Sequence, residues 1–297
     1  MNMQIKEKLI TEFQGYSGCK ILLYLSNDKY FVRKISKNIE YNARLEKQLI
    51  KQRFFMNKLA KNNLQTPKIL GEGYINNLFY FDMEYVPGKN LITYIPEATV
   101  EELEYISKTL LEIIGLFKSL EKENNALIKD KSINKTREIN AKITHLPEFK
   151  EMIDEIERGF YESDTAELKE TFCHGDLTIE NIIYDPNKKI FYLIDFLDTY
   201  SDHYWFDISK LFQDIEASWY SIRYKDINLN NMYLKMAYIE NYLNKNLILK
   251  EQNYRRYHYL FLSLTLARIL PYAKDSHLNF LKSKIKYFLE KHLEVLK

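Results

Sequence analysis

A chain of 297 residues is long enough for two lobes with separate cores, and its 46% apolar content is that of a folded protein. Lysine and arginine total 43 against 41 acidic residues, and the net charge of +2 argues against a nucleic-acid coat or a membrane-surface binder. The first residues, Met-Asn-Met-Gln-Ile-Lys-Glu-Lys, lack the apolar run of a secretion signal, and no stretch is apolar for the width of a bilayer, so a cytoplasmic protein is expected. Cys19 and Cys173, far apart in the chain, form neither a disulfide framework nor a metal cluster and read as reduced fillers.

In chain order, the first 86 residues read as strands with one helix. Ile21 to Leu25 and Tyr30 to Ile35 are β-rich runs around Ser26-Asn27-Asp28-Lys29, a turn-forming cluster that predicts a hairpin. From about Glu40 to Lys61, Leu45, Leu49, Met56 and Leu59 recur at helical spacing, and Gln52 lies on that apolar stripe. Pro67 and Gly71-Glu72-Gly73 break the pattern, and Leu78 to Val86 then reads as a buried strand ending at Pro87-Gly88, where a lobe boundary is placed. Residues 87–297 form the second lobe.

Beyond Pro96 the periodicity turns helical. Leu103, Ile106, Leu110, Ile113, Ile114 and Phe117 make one stripe, and helices are also expected near 148–160, 204–221, 230–244, 251–270 and 276–295. The exception is a β patch, Asn181 to Tyr184 and Ile190 to Ile194, around the turn Asp185-Pro186-Asn187.

Chemistry concentrates at 172–196. A hairpin from Asn181 to Ile194 carries Asn181 at its entry and Asp195 at its exit, so two oxygen donors emerge at one end. Magnesium takes such donors, with waters and substrate phosphates completing its shell. Asp176 precedes Asn181 on the same loop and is a third oxygen, available to accept a hydroxyl proton.

The run His174-Gly175-Asp176, then Asn181, then Ile194-Asp195-Phe196 after a hairpin, resembles the catalytic loop and metal-binding motif of the aminoglycoside phosphotransferase and choline kinase family, relatives of the protein kinases. The resemblance implies an α+β, two-lobed protein-kinase-like fold with a small β-rich N-terminal lobe and a larger, mainly helical C-terminal lobe. It implies Asp176 as the catalytic base, Asn181 and Asp195 as magnesium ligands, and ATP or GTP as phosphoryl donor. His174 is then a scaffold residue of the loop.

On the strand Phe31-Val32-Arg33-Lys34, alternation puts Val32 and Lys34 on one face, as in the kinases' Val-Ala-Ile-Lys pattern, which makes Lys34 the expected phosphate lysine. The helix position that pairs with this lysine falls on Gln52, with Glu46 as the alternative. The loop Gln14-Gly15-Tyr16-Ser17-Gly18 stands where a phosphate-covering turn is expected, with Ser17 as a contact. Phe81 to Gly88 looks like the family's hinge, with Glu84 and Val86 meeting the adenine edge through backbone groups.

About a dozen residues separate Asp195 from Asp207 and no Ala-Pro-Glu element follows, so the segment on which protein kinases rest a peptide is missing. The expected acceptor is a small molecule bearing a hydroxyl: an aminoglycoside, choline or another amino alcohol, or a sugar. Asp198, Asp214 and Trp219 are acceptor-site candidates, and Asp207 is expected to brace the catalytic loop. The alternatives are a nucleotide-binding pseudokinase scaffold, against which the intact Asp176, Asn181 and Asp195 speak, and a protein kinase, against which the short segment after Asp195 speaks.

Overall fold

The computed structural model describes residues 7–13, 18–59, 63–165 and 168–297. The expected contact Ser17, with most of its loop, lies outside the described residues. In chain order the elements begin with strands β1 (Lys8–Phe13), β2 (Cys19–Ser26) and β3 (Lys29–Ser36), helix α1 (Asn42–Leu59), and strands β4 (Leu64–Gln65), β5 (Ile69–Ile75), β6 (Leu78–Glu84) and β7 (Lys89–Asn90). There follow α2 (Leu91–Tyr94), α3 (Val100–Ser119), β8 (Glu121–Asn125), α4 (Ile128–Lys142), α5 (Lys150–Tyr161) and β9 (Lys169–Thr171). The loop that carries His174, Gly175 and Asp176 leads into β10 (Ile182–Asp185) and β11 (Ile190–Leu193). The chain then runs through α6 (Tyr204–Ile215), α7 (Tyr220–Arg223), α8 (Leu229–Leu243), α9 (Gln252–Arg255), α10 (His258–Ala267) and α11 (Asp275–Leu296). Among the described residues no helix is long and apolar enough to cross a membrane.

Two compact units divide the chain: residues 1–91 with 180–198, and residues 92–179 with 199–297. The first is built on a five-stranded antiparallel sheet in the order β1-β2-β3-β6-β5. Its hairpin turns follow from residues that tolerate left-handed backbone: Asn27 and Asp28 have φ of 48° and 59°, and Asn76 and Asn77 have φ of 49° and 65°, the twisted two-residue turn that matches strand twist. Strand β5 passes through Gly71 and Gly73, where a break is expected from the sequence. At Gly73 an added Cβ would meet the Tyr80 ring at 3.2 Å, so the missing side chain makes room for that cross-strand aromatic.

Leu45 and Leu49 of α1 pack against Phe79 and Phe81 of β6, which fixes the helix beside the sheet. Arg33 locks the sheet's other face: its guanidinium donates to both oxygens of Asp82, its cross-strand neighbour, at 2.7 and 2.8 Å, and to Glu7 at 2.9 and 3.2 Å.

The same unit contains a second sheet, β4-β11-β10-β7. The β10–β11 hairpin, expected within the second lobe, hydrogen-bonds to β4 and β7 of the first unit. Gly88 has to be glycine here, because a Cβ at that position would stand 2.6 Å from the Tyr184 carbonyl oxygen. The β10–β11 turn is closed by Asp185, whose Oδ1 accepts from the N–H groups of Asn187 and Lys188 at 3.0 and 3.3 Å.

The second unit is helical, with β8 and β9 paired as a small antiparallel ribbon. Helix α3 starts at a capping box in which Thr99 Oγ1 accepts from Glu102 N–H and Glu102 accepts from Thr99 N–H. His203 caps α6: burial pushes its imidazole down to about 3, so the ring stays neutral and Nδ1 accepts from Trp205 N–H at 3.3 Å. Helix α6 ends at Ile215 rather than near 221, since Ser218 turns to φ 59°. The stretch expected as one helix over 251–270 is split into α9 and α10.

Replacing Gly88 by alanine forces the chain away from β10. Overpacking of this kind costs about 1–3 kcal/mol, so the urea midpoint of Gly88→Ala is expected below wild type; an unchanged midpoint contradicts the close approach.

Candidate active site

Within the first unit, Lys34 lies on the buried face of β3 with Val32, 3% and 8% exposed, as strand alternation requires. Its ammonium donates to Asp195 and, at 2.9 Å, to Gln48 Oε1. Burial pulls the lysine's pKa down, but the Asp195 carboxylate more than reverses this and holds the ammonium above its ordinary range. Lys34 therefore carries a charge throughout the neutral range, inside a protein, beside a carboxylate from a segment 161 residues away.

The helix partner of Lys34 is Gln48, one turn before the expected Gln52. Gln52 points its amide at the Pro67 carbonyl, 3.0 Å away, and at Met83 sulfur, and it is satisfied there as a buried structural amide. Glu46, the alternative, accepts from the Tyr74 hydroxyl at 2.5 Å. Gln48 is itself oriented, since its Nε2 donates to the Tyr41 hydroxyl at 3.1 Å and so turns Oε1 toward the lysine.

Asp195 follows β11 with φ 61°, a left-handed backbone that aspartate tolerates better than most residues. The β10–β11 register pairs Ile182 with Leu193, and the Ile194 N–H donates to the Asn181 carbonyl at 3.0 Å. Asn181 and Asp195 thus leave the same end of one hairpin. An amide oxygen and a carboxylate suit a hard divalent cation that keeps most of its waters; among the described residues no group of three or more His, Cys, Asp or Glu gathers to hold a metal by itself. The segment after Asp195 is pinned to α1, with Phe196 stacked on Phe55 at 5.0 Å and the Leu197 carbonyl accepting from Lys51 at 2.8 Å.

At the end of β6, the Glu84 N–H donates to the Lys68 carbonyl at 2.8 Å. The backbone N–H of Glu84 is thereby engaged, and Val86 is buried.

Within the second unit, Asp207 of buried helix α6 receives the 174–176 loop: Oδ2 accepts from His174 N–H at 2.6 Å and Oδ1 from Gly175 N–H at 2.9 Å. Gly175 supplies the φ of 90° that this turn needs. His174 Nδ1 accepts from Asp176 N–H at 3.3 Å, a scaffold role. Asp176 then meets Lys210, absent from the sequence reading, whose Nζ lies 3.0 Å from Oδ1. Burial pushes the Asp176 carboxyl up; the charge and hydrogen bond of Lys210 outweigh this, with smaller help from His174 and Arg268, and leave it below the usual carboxylate range.

Of the three acceptor candidates Asp214 and Trp219 are buried and Asp198 is exposed. Asp214 is 3% exposed and accepts from the Ile179 N–H at 3.2 Å, so it braces the loop a second time rather than facing a ligand. Trp219 is 6% exposed and packs on His277 and Phe280 of α11, a core position. Asp198, in the first unit, pairs with Lys47 at 3.2 Å with both side chains well exposed, an ion pair of little energetic weight.

With this geometry in view, a profile of the phosphotransferase enzyme family matches residues 12–242. The chain belongs to that family. Among solved structures, this phosphotransferase is similar to the aminoglycoside phosphotransferase APH(4)-Ia in a ternary complex with ADP and hygromycin B, at 13% identity and a TM-score of 0.60, covering 95% of this chain and 93% of that one. The choline kinase LicA from Streptococcus pneumoniae matches at 14% identity and 0.55, covering 96% and 94%, and an ethanolamine kinase from Plasmodium vivax at 14% and 0.53, covering 97% and 83%. Among curated proteins, no sequence matches. At these identities the likeness establishes the fold, which is the two-lobed protein-kinase-like one.

Asp207→Asn turns one acceptor oxygen into a donor facing a buried N–H. An unsatisfied buried donor costs about 1–3 kcal/mol, so a lower thermal midpoint and faster proteolysis at the 174–176 loop are expected; a variant as stable as wild type contradicts the double brace.

Proposed function

We propose that this phosphotransferase moves the γ-phosphoryl group of ATP or GTP to a hydroxyl of a small molecule. The observation that carries the reading is Asp176: a carboxylate kept ionised on a loop whose backbone is held by Asp207, five residues before Asn181 in the chain. An ionised carboxylate can accept a proton, and a braced loop keeps it aimed. The family match over residues 12–242 supports the reaction class.

In the proposed reaction the acceptor oxygen forms a bond to the γ-phosphorus as the bond to the β–γ bridging oxygen breaks. ADP leaves with that electron pair, and the hydroxyl proton passes to Asp176. Lys34 takes the α- and β-phosphates, its charge secured against burial by the pairing with Asp195 described above. Gln48 keeps the lysine aimed without adding a second negative charge near the phosphates. Asn181 and Asp195 would hold magnesium, which when bound offsets charge on the phosphate oxygens. The Glu84 carbonyl and the Val86 N–H receive the purine edge.

The acceptor class is open to choline or ethanolamine, aminoglycosides and sugars, since structural relatives include a choline kinase, an ethanolamine kinase and an enzyme bound to hygromycin B. The test is magnesium-dependent ADP release against a panel of these alcohols, with a mixed peptide pool as control. Transfer to at least one small alcohol and none to peptides is expected; phosphorylation confined to the peptides, or no nucleotide binding, sinks the reading. Asp176→Asn should cut turnover by about a hundredfold or more while nucleotide affinity holds. Lys34→Met should instead raise the KM for ATP at least about tenfold, and the opposite assignment of these two effects contradicts the roles.

A further inference from the structure

Helix α6 presents Asp207, Lys210 and Gln213 at three-residue intervals, the spacing that places side chains next to one another along one face. Asp207 is spent on the loop backbone, and Gln213 Oε1 accepts from Lys210 Nζ at 3.1 Å. The Lys210 side chain is only 13% exposed and that of Asp176 24%, unlike a solvated helix lysine. The helix cannot easily turn, because Ser209 Oγ lies 2.8 Å from Thr265 Oγ1 of α10.

We propose that Lys210 is a positioning residue for the phosphoryl-transfer base, holding the Asp176 carboxylate in the ionised form and in one orientation. The inference rests on the reading of Asp176 given above. The backbone of the loop and the side chain of its base are then both held from one helix, by Asp207 through two N–H groups and by Lys210 through Oδ1. A carboxylate that must receive a proton during transfer has to begin deprotonated and aimed at the acceptor oxygen. Gln213 keeps the ammonium from swinging away.

The titratable and charged groups that face Asp176 are Lys210 on α6, Arg268 at the C-terminal end of α10 and His174 on its own loop. Arg268 is stacked over the Tyr200 ring at 5.2 Å. Of these groups Lys210 forms the ion pair with the carboxylate, at 3.0 Å from Oδ1, and once its charge is removed burial, the largest influence on the group, favours the protonated form.

Lys210→Met retains the stem and removes the charge, and Lys210→Arg retains the charge. Two readouts separate the proposal from the reaction on which it rests. The first is the pH titration of the Asp176 carboxyl carbon by NMR, assigned by its loss in Asp176→Asn; it needs no acceptor. In Lys210→Met the carboxyl is expected to titrate at higher pH than in wild type, and in Lys210→Arg near wild type. The second is ADP release from magnesium ATP with an alcohol that the wild type phosphorylates. Lys210→Met should lower kcat about tenfold or more with the KM for ATP within about twofold, and move the acid limb of kcat upward; arginine should restore most of the rate. A Lys210→Met protein with the wild-type titration and wild-type kcat overturns the proposal. If the titration shifts as expected while no alcohol is phosphorylated even by wild type, the hold of Lys210 on Asp176 stands and the reading of the reaction fails.

Discussion

The first unit is organised around one buried charge. Lys34 lies inside the sheet that makes its core, and an ammonium removed from water is unfavourable unless a carboxylate and a hydrogen-bond acceptor meet it. Asp195 and Gln48 do so. To bring Asp195 there, the chain returns from position 180 to add a hairpin between β4 and β7, and Phe196 and Leu197 are then fastened to α1. The ion pair therefore ties a strand, a helix and a distant hairpin into a single unit, and removing Asp195 leaves the buried Lys34 charge without its counter-ion. Such a pair adds little net stability compared with an apolar replacement. It does produce a lysine that is charged and fixed in place, which is what binding of phosphates demands.

The second unit solves a related problem for a carboxylate. A loop with few regular hydrogen bonds has its N–H groups at His174 and Gly175 taken by Asp207, and its continuation at Ile179 by Asp214. Both aspartates belong to α6, whose own Phe206 packs edge-on against Phe261 of α10 with ring centroids 5.3 Å apart. Rigidity at the loop is thus borrowed from the core. Precision of this kind matters because a displacement of about 1 Å at a reacting group can cost about a hundredfold in rate.

Much of this was readable from residues whose physical constraints are local. Turns at Asn27-Asp28 and at Asp185-Pro186-Asn187, the alternation around Lys34, and the spacing of His174, Asp176, Asn181 and Asp195 all follow from short-range chemistry. Asp207 as the loop brace also matches. What the chain order conceals is choice among equivalents and pairing at long range. Gln48 and Gln52 both lie on the buried stripe of α1, one turn apart, and only the position of β3 against the helix decides which meets the lysine. Strands β4 and β7 are two residues each and have no pattern of their own. Helix α4 buries Ile128, Ile133 and Ile139 within a run of charges that dilutes its periodicity. Lys210 reads as a surface lysine, while Asp214 and Trp219 read as available side chains, because burial depends on neighbours far away in sequence.

The central claim is that Lys34 and Asp195 form a site for a magnesium-bound nucleotide. Calorimetric titration of ADP into the protein, with and without magnesium, tests it most directly when repeated on Asp195→Asn. Magnesium should tighten ADP binding to the wild type and have little effect on the variant. Equal affinity with and without magnesium in the wild type, or an undiminished magnesium effect in Asp195→Asn, would contradict it.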